Sequence, residues 1–95
     1  IAYVVEDNAH IVGFLIATYQ STTRKVAWEN MYIEPEYRGR YLVQKCYALA
    51  EQEARRRGAA YICGLIEENN LQCIRVLERI GFTKGKTHIW MEKVF

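Results

Sequence analysis

The densest chemistry in the chain lies in one run, Ile33-Glu34-Pro35-Glu36-Tyr37-Arg38-Gly39-Arg40-Tyr41-Leu42-Val43. A strand-like segment ends there, a basic turn containing a glycine follows, and a helical pattern begins. The first N–H groups of a helix have no partner inside it and together carry about half a positive charge, so they grip a pyrophosphate without special side chains. Arg38 and Arg40 add charge-assisted phosphate contacts. Read alone, Arg-Gly-Arg also describes a tight turn with two exposed arginines. Other reactive side chains are scattered. Cys46, Cys63 and Cys73 are odd in number and lack the paired close spacing of a zinc site or a disulfide framework, and His10 and His88 have no regularly spaced ligand partner. No metal is expected, and the cysteines read as reduced core or pocket residues.

The elements that must position this turn follow from periodicity. Ile1 to Glu6 is β-branched and aromatic, Asp7-Asn8 is a turn signal, and His10 to Tyr19 is a second strand-like run containing Gly13. Lys25 to Ile33 makes a third strand, stopped at Pro35 because proline cannot donate to a ladder. From about Tyr41 to Arg57 the period becomes helical, with Leu42, Cys46, Leu49, Ala50 and Glu53 near one face and three arginines in the last turn. Gly58 ends it. Ala59 to Ile66 is a short apolar run, the pattern of a strand buried on both faces and reached by a helical crossover. Asn69-Asn70 offers an N-cap for a second helix carrying Leu71, Ile74, Leu77 and Ile80 and ending at Gly81. Phe82 to Phe95 reads as a closing hairpin. The order is β-β-β-α-β-α-β-β, an α+β fold with a mixed, mostly antiparallel sheet and two helices.

Ninety-five residues, 51% of them apolar and 13% aromatic, suit one domain spanning 1–95 with a modest core. A net charge of +2 from 13 basic and 11 acidic residues is too mild for a nucleic-acid binder. The apolar runs fall short of the roughly 20 residues a membrane-spanning helix needs, and no export signal opens the chain, so a cytoplasmic protein is expected. The chain starts at Ile1 inside a strand-like run, which leaves open whether a segment precedes it.

Two segments in order carry a family resemblance. Ile33 to Val43 resembles the acyl-CoA-binding motif of the GNAT superfamily of N-acyltransferases, hydrophobic-x-Pro-x-x-Arg-Gly-x-Gly-x-Gly. Asn70-Leu71-Gln72-Cys73-Ile74-Arg75-Val76-Leu77-Glu78-Arg79-Ile80-Gly81-Phe82 resembles the motif that follows it, in the form seen in the branch acetylating ribosomal-protein N-termini and related amines. The resemblance runs from about Tyr3 to Lys93, and the strand and helices that usually precede the first hairpin are not in this chain. It implies transfer of an acetyl or other acyl group from acetyl-CoA or a similar thioester to a primary amine by direct attack. A non-catalytic acyl-CoA-binding or interaction module on the same fold is the alternative. Two departures bear on the choice. Tyr41 and Val43 stand where the family has glycine or alanine, placing β-carbons where a pyrophosphate approaches backbone. Leu77 stands where the family commonly has a tyrosine that protonates the leaving thiolate.

The same resemblance distributes roles. Backbone N–H groups near Met31, Tyr32 and Ile33 would hold the acetyl carbonyl and the pantetheine, as the family's splayed strand does, although plain strand pairing is the alternative. Arg38, Gly39, Arg40, Tyr41, Leu42 and Val43 would cradle phosphates. Asn70 would contact CoA, though a helix N-cap explains it as well, and Cys73 would lie near the pantetheine arm or be an inert buried thiol. Glu29 is the candidate base: it shares side-chain parity with Met31 and Ile33, so it is expected inward, where desolvation raises a carboxylate pKa. A bulge would flip that parity, and an exposed strand glutamate is the alternative. Glu67 and Glu68 are weaker candidates, and Tyr32, Tyr41 and Tyr47 are the phenols able to replace the missing acid. An open sheet edge and an uncovered apolar face lead us to expect a homodimer.

Overall fold

A computed structural model describes residues 1–95. Its elements are β1 (Ala2–Asp7), β2 (His10–Gln20), β3 (Lys25–Ile33), a 3-10 turn (Pro35–Tyr37), α1 (Leu42–Arg56), β4 (Tyr61–Gly64) and α2 (Leu71–Arg79). The chain divides into two compact units, Ile1–Leu65 and Ile66–Phe95.

The first unit holds a four-stranded sheet in the order β1-β2-β3-β4. The first three strands form the expected antiparallel meander, and the α1 crossover brings β4 parallel to β3. One face of the sheet contributes Leu15, Ala17 and Val26 to the core, and α1 contributes Cys46, Ala50 and Ala54. Those three recur every four residues, a single helical stripe. Two of them are alanines, so the helix backbone lies close to the strands. Leu49, expected on the same face, is instead 50% exposed. Aromatic tethers flank the stripe: Trp28 stacks on Tyr47 with ring centroids 5.5 Å apart, and Tyr19 donates to the Arg57 carbonyl at 2.8 Å. The arginines at the end of α1 pair with Glu51 and Glu53 of the same helix.

Gly13 occupies a position no side chain can share. A β-carbon there would sit 2.6 Å from Ile33 Cδ1 and 2.7 Å from the Tyr32 carbonyl oxygen, and the second contact is with backbone that cannot rotate away. Gly13→Ala is therefore expected to destabilise the fold by about 1–3 kcal/mol, read as a lower urea midpoint, and to displace the end of β3.

The second unit contains α2. Asn70 caps it, its side-chain oxygen accepting from the Cys73 N–H at 3.3 Å. At the other end Phe82 N–H donates to the Leu77 carbonyl and Gly81 N–H to that of Glu78, the paired bonds of a Schellman stop. The expected closing hairpin is corrected: residues 82–95 take no regular secondary structure. A two-stranded hairpin is marginal in water without a third strand to pair with, and Ile89, Trp90, Met91, Val94 and Phe95 are all largely exposed.

Candidate active site

Strand β3 is paired on both edges for only part of its length. The ladder with β4 runs from Lys25↔Tyr61 to Trp28↔Gly64 and stops. Beyond it, Glu29 to Ile33 pair with β2 alone, so one edge of this half-strand carries free backbone groups. The register decides which. Glu34 N–H donates to the Val12 carbonyl at 2.8 Å, and pairing continues as Tyr32↔Phe14 and Asn30↔Ile16. Antiparallel ladders alternate every residue, so Asn30, Tyr32 and Glu34 bond to β2, while Met31 and Ile33 turn their N–H and C=O toward the open edge. Arg38 Nε donates to the Ile33 carbonyl at 2.9 Å, as that orientation requires. Of the three N–H groups expected to serve a carbonyl, Met31 and Ile33 are available; that of Tyr32 is committed to the sheet.

Glu29 sits where both ladders change. Ile16 pairs with Asn30 and Ala17 with Trp28, leaving Glu29 as the extra residue of a bulge. Trp28 before the bulge and Met31 after it both pack against the core, whereas Glu29 is exposed. The expected inward, desolvated carboxylate is thus corrected, because the extra residue resets the alternation on which parity rested. Glu29 keeps its place beside the open half of β3.

The basic turn leads from this edge into α1. Arg38 N–H closes the 3-10 turn onto the Pro35 carbonyl, and the first bond of the helix is Lys45 N–H to the Tyr41 carbonyl at 3.1 Å. Between them, the N–H groups of Gly39, Arg40, Tyr41, Leu42, Val43 and Gln44 have no acceptor in the protein. Gly39 has φ +78°, and a β-carbon built on it meets nothing within 4 Å, so the turn is open on that side. The Arg38 guanidinium lies 5.6 Å from the Tyr32 ring centroid and that of Arg40 lies 4.9 Å from the Tyr37 ring centroid. Consecutive unpaired donors at a helix start, with Arg38 just before the run and Arg40 within it, form an anion cradle. These residues therefore fit a pyrophosphate-bearing ligand.

In the second unit, Asn70 and Cys73 share the α2 cap described above, and half-burial pushes the Cys73 thiol pKa up, away from a reactive thiolate. Leu77 has no proton to donate. Tyr47 is raised by burial first and by Glu51 second, which keeps it a neutral phenol. No group of three or more His, Cys, Asp or Glu side chains is placed to hold a metal ion, and no helix is long and apolar enough to cross a membrane.

This arrangement has known counterparts. The sequence model of the acetyltransferase (GNAT) family matches residues 1–82. The chain belongs to that family. Acetyltransferase Atu2258 of Agrobacterium fabrum is 32% identical over 99 aligned positions, which take in 94% of this chain and 69% of that protein. Among solved structures, the aminoglycoside N-acetyltransferase AAC(6')-Iy in complex with CoA superposes with a TM-score of 0.90 over 99% of this chain and 75% of that one, at 16% identity, a likeness of fold. A nourseothricin acetyltransferase superposes with a TM-score of 0.80 at 29% identity, over 86% of this chain and 49% of that one. GNAT membership carries the reaction class, acetyl transfer from acetyl-CoA.

Against the family pattern, Tyr41 is the departure with a measurable cost. It adopts φ 60°, ψ 22°, a left-handed conformation that glycine takes freely and an L side chain resists by about 1–2 kcal/mol. Its side chain is 72% exposed and offers little packing in return. Tyr41→Gly is expected to stabilise the fold by about 1 kcal/mol, seen as a higher melting temperature, and to tighten CoA binding by clearing the cradle.

Proposed function

We propose that this chain is an N-acetyltransferase domain that binds acetyl-CoA along the open half of β3 and the start of α1, and passes the acetyl group to a primary amine. The observation that carries this reading is the run of six unpaired N–H donors from Gly39 to Gln44, beside Arg38 and Arg40 and leading from the free edge of Met31 and Ile33. In this reading the turn, through Arg38, Gly39, Arg40, Tyr41, Leu42 and Val43, holds the phosphates. The N–H groups of Met31 and Ile33 receive the thioester carbonyl and stabilise the charge that develops on its oxygen. Glu29 takes a proton from the ammonium, directly or through water, so that the amine can attack. Acetyl-CoA supplies the activated acyl carbon. With leucine at position 77 the thiolate departs without a dedicated acid, which a thiol of pKa about 8.5 tolerates. Asn70 and Cys73 are assigned to the CoA arm. The run from Ile74 to Phe82 favours an acceptor like a peptide N-terminus, and we place the protein in the cytoplasm as a homodimer that covers the open sheet edge.

Calorimetric titration of the purified chain with acetyl-CoA and free CoA tests the donor site, and thiol release with an amine panel tests transfer. Micromolar binding and amine-dependent release are expected. Absence of binding would overturn the assignment.

Two observations favour a second reading. Tyr41 stands in a strained conformation at the mouth of the cradle and Glu29 is exposed rather than buried. A CoA-binding module without turnover would show both, and would bind CoA while releasing no thiol.

A further inference from the structure

The anion cradle is connected to a residue far from it in sequence. Asp7, at the end of β1, accepts a hydrogen bond from the Tyr37 hydroxyl at 2.6 Å across 30 positions of chain. The face of the same tyrosine carries the Arg40 guanidinium, 4.9 Å from the ring centroid. Arg40 makes no hydrogen bond or ion pair within the protein. Its five N–H donors therefore stay available while the stack fixes the group against Tyr37, on the same turn whose backbone carries the unpaired N–H run.

We propose that Asp7 and Tyr37 are positioning residues for phosphate recognition, holding Arg40 over the cradle so that it meets the phosphates of CoA already ordered. This rests on the acetyl-CoA reading above. The chemistry favours an indirect arrangement. A carboxylate paired directly with Arg40 would neutralise the charge the ligand needs and occupy its donors. Here the carboxylate instead accepts from the phenol, which makes the ring a richer π-donor and strengthens its hold on the cation. The Asp7 hydrogen bond is also the main cause that pushes the Tyr37 pKa above its ordinary range, with burial next, so the phenol remains a donor at neutral pH. Arg38 is held differently, by the Ile33 carbonyl and the Tyr32 ring, and does not depend on Asp7.

The test is calorimetry with CoA on the full chain and on four variants: Tyr37→Phe, Asp7→Asn, Arg40→Ala, and Tyr37→Phe combined with Arg40→Ala. Tyr37→Phe and Asp7→Asn should each weaken CoA about three-fold, and Arg40→Ala about ten-fold. Adding Tyr37→Phe to Arg40→Ala should cost nothing more, because the tyrosine acts through the arginine. Binding of S-acetylpantetheine, which has no phosphates, should be unchanged in all four. Wild-type affinity in both Tyr37→Phe and Asp7→Asn overturns the proposal. So does a loss that adds to that of Arg40→Ala, or one equally large for S-acetylpantetheine, since either marks a merely structural contact. Absence of CoA binding by the wild-type chain overturns the donor site itself, and this inference with it.

Discussion

Glu29→Gln is expected to lower kcat about 100-fold and to leave CoA affinity within about two-fold of wild type. The amide keeps the size and hydrogen-bonding reach of the carboxylate but cannot accept a proton, and a positioned general base contributes about 10²- to 10⁴-fold. The lower end applies because Glu29 is exposed at its bulge, where water partly replaces a lost base. The location argues for the role more than the burial does. Glu29 is the first residue past the ladder with β4, so it stands at the entrance to the free edge where Met31 and Ile33 present their N–H groups. The deficit should shrink as pH rises toward the acceptor's own pKa, because an amine already free needs no base. Thiol release from acetyl-CoA, measured with any accepted amine from pH 6 to 10, reads both effects. An unchanged kcat would remove Glu29 from the reaction, and a chain that binds CoA without turnover in either form would favour the binding module.

The elements that position the site were legible because each has a local cause. The third strand ends at Ile33, as Pro35 requires, and the helix begins within one residue of the expected start. The N-cap at Asn70 and the stop at Gly81 follow from residue types a few positions apart. Parity failed at Glu29 because a bulge depends on how two strands pair, and the pairing of Ile16 with Asn30 but Ala17 with Trp28 leaves no mark in either strand's composition. Tyr32 failed for a related reason: which N–H groups face an open edge depends on register, not residue type. The Asp7–Tyr37 bond joins residues 30 apart, and nothing local in either segment announces it. The closing hairpin misled in the opposite direction. Residues 82–95 have the apolar content of strands, but a strand needs a partner as well as a pattern.

Leu15→Ala is expected to cost about 3 kcal/mol of stability, within the 2–5 kcal/mol range for a buried leucine. Leu15 has no exposed surface, and it and Val26 are the largest side chains wholly enclosed. The buried set is small, eight apolar side chains, and three of them are alanines. Across from Leu15 the helix offers Cys46, Ala50 and Ala54, none long enough to move into the space a truncated leucine leaves. Incomplete collapse puts the cost in the middle of the range rather than at its floor. Against a total of about 5–15 kcal/mol for a domain, this removes a large share, and the urea midpoint should fall sharply at unchanged slope. Ile11→Ala, at a position 62% exposed on the preceding stretch of the same strand, should cost under about 0.5 kcal/mol. The contrast reaches the site because Leu15 lies under α1, whose first residues carry the unpaired N–H groups of the cradle. Just below the Leu15→Ala melting point, CoA affinity should fall by the fraction of chain unfolded and no further, while added CoA should raise that melting point by mass action. Loss of CoA affinity in Leu15→Ala well below its melting point would show instead that packing beneath α1 tunes the cradle directly.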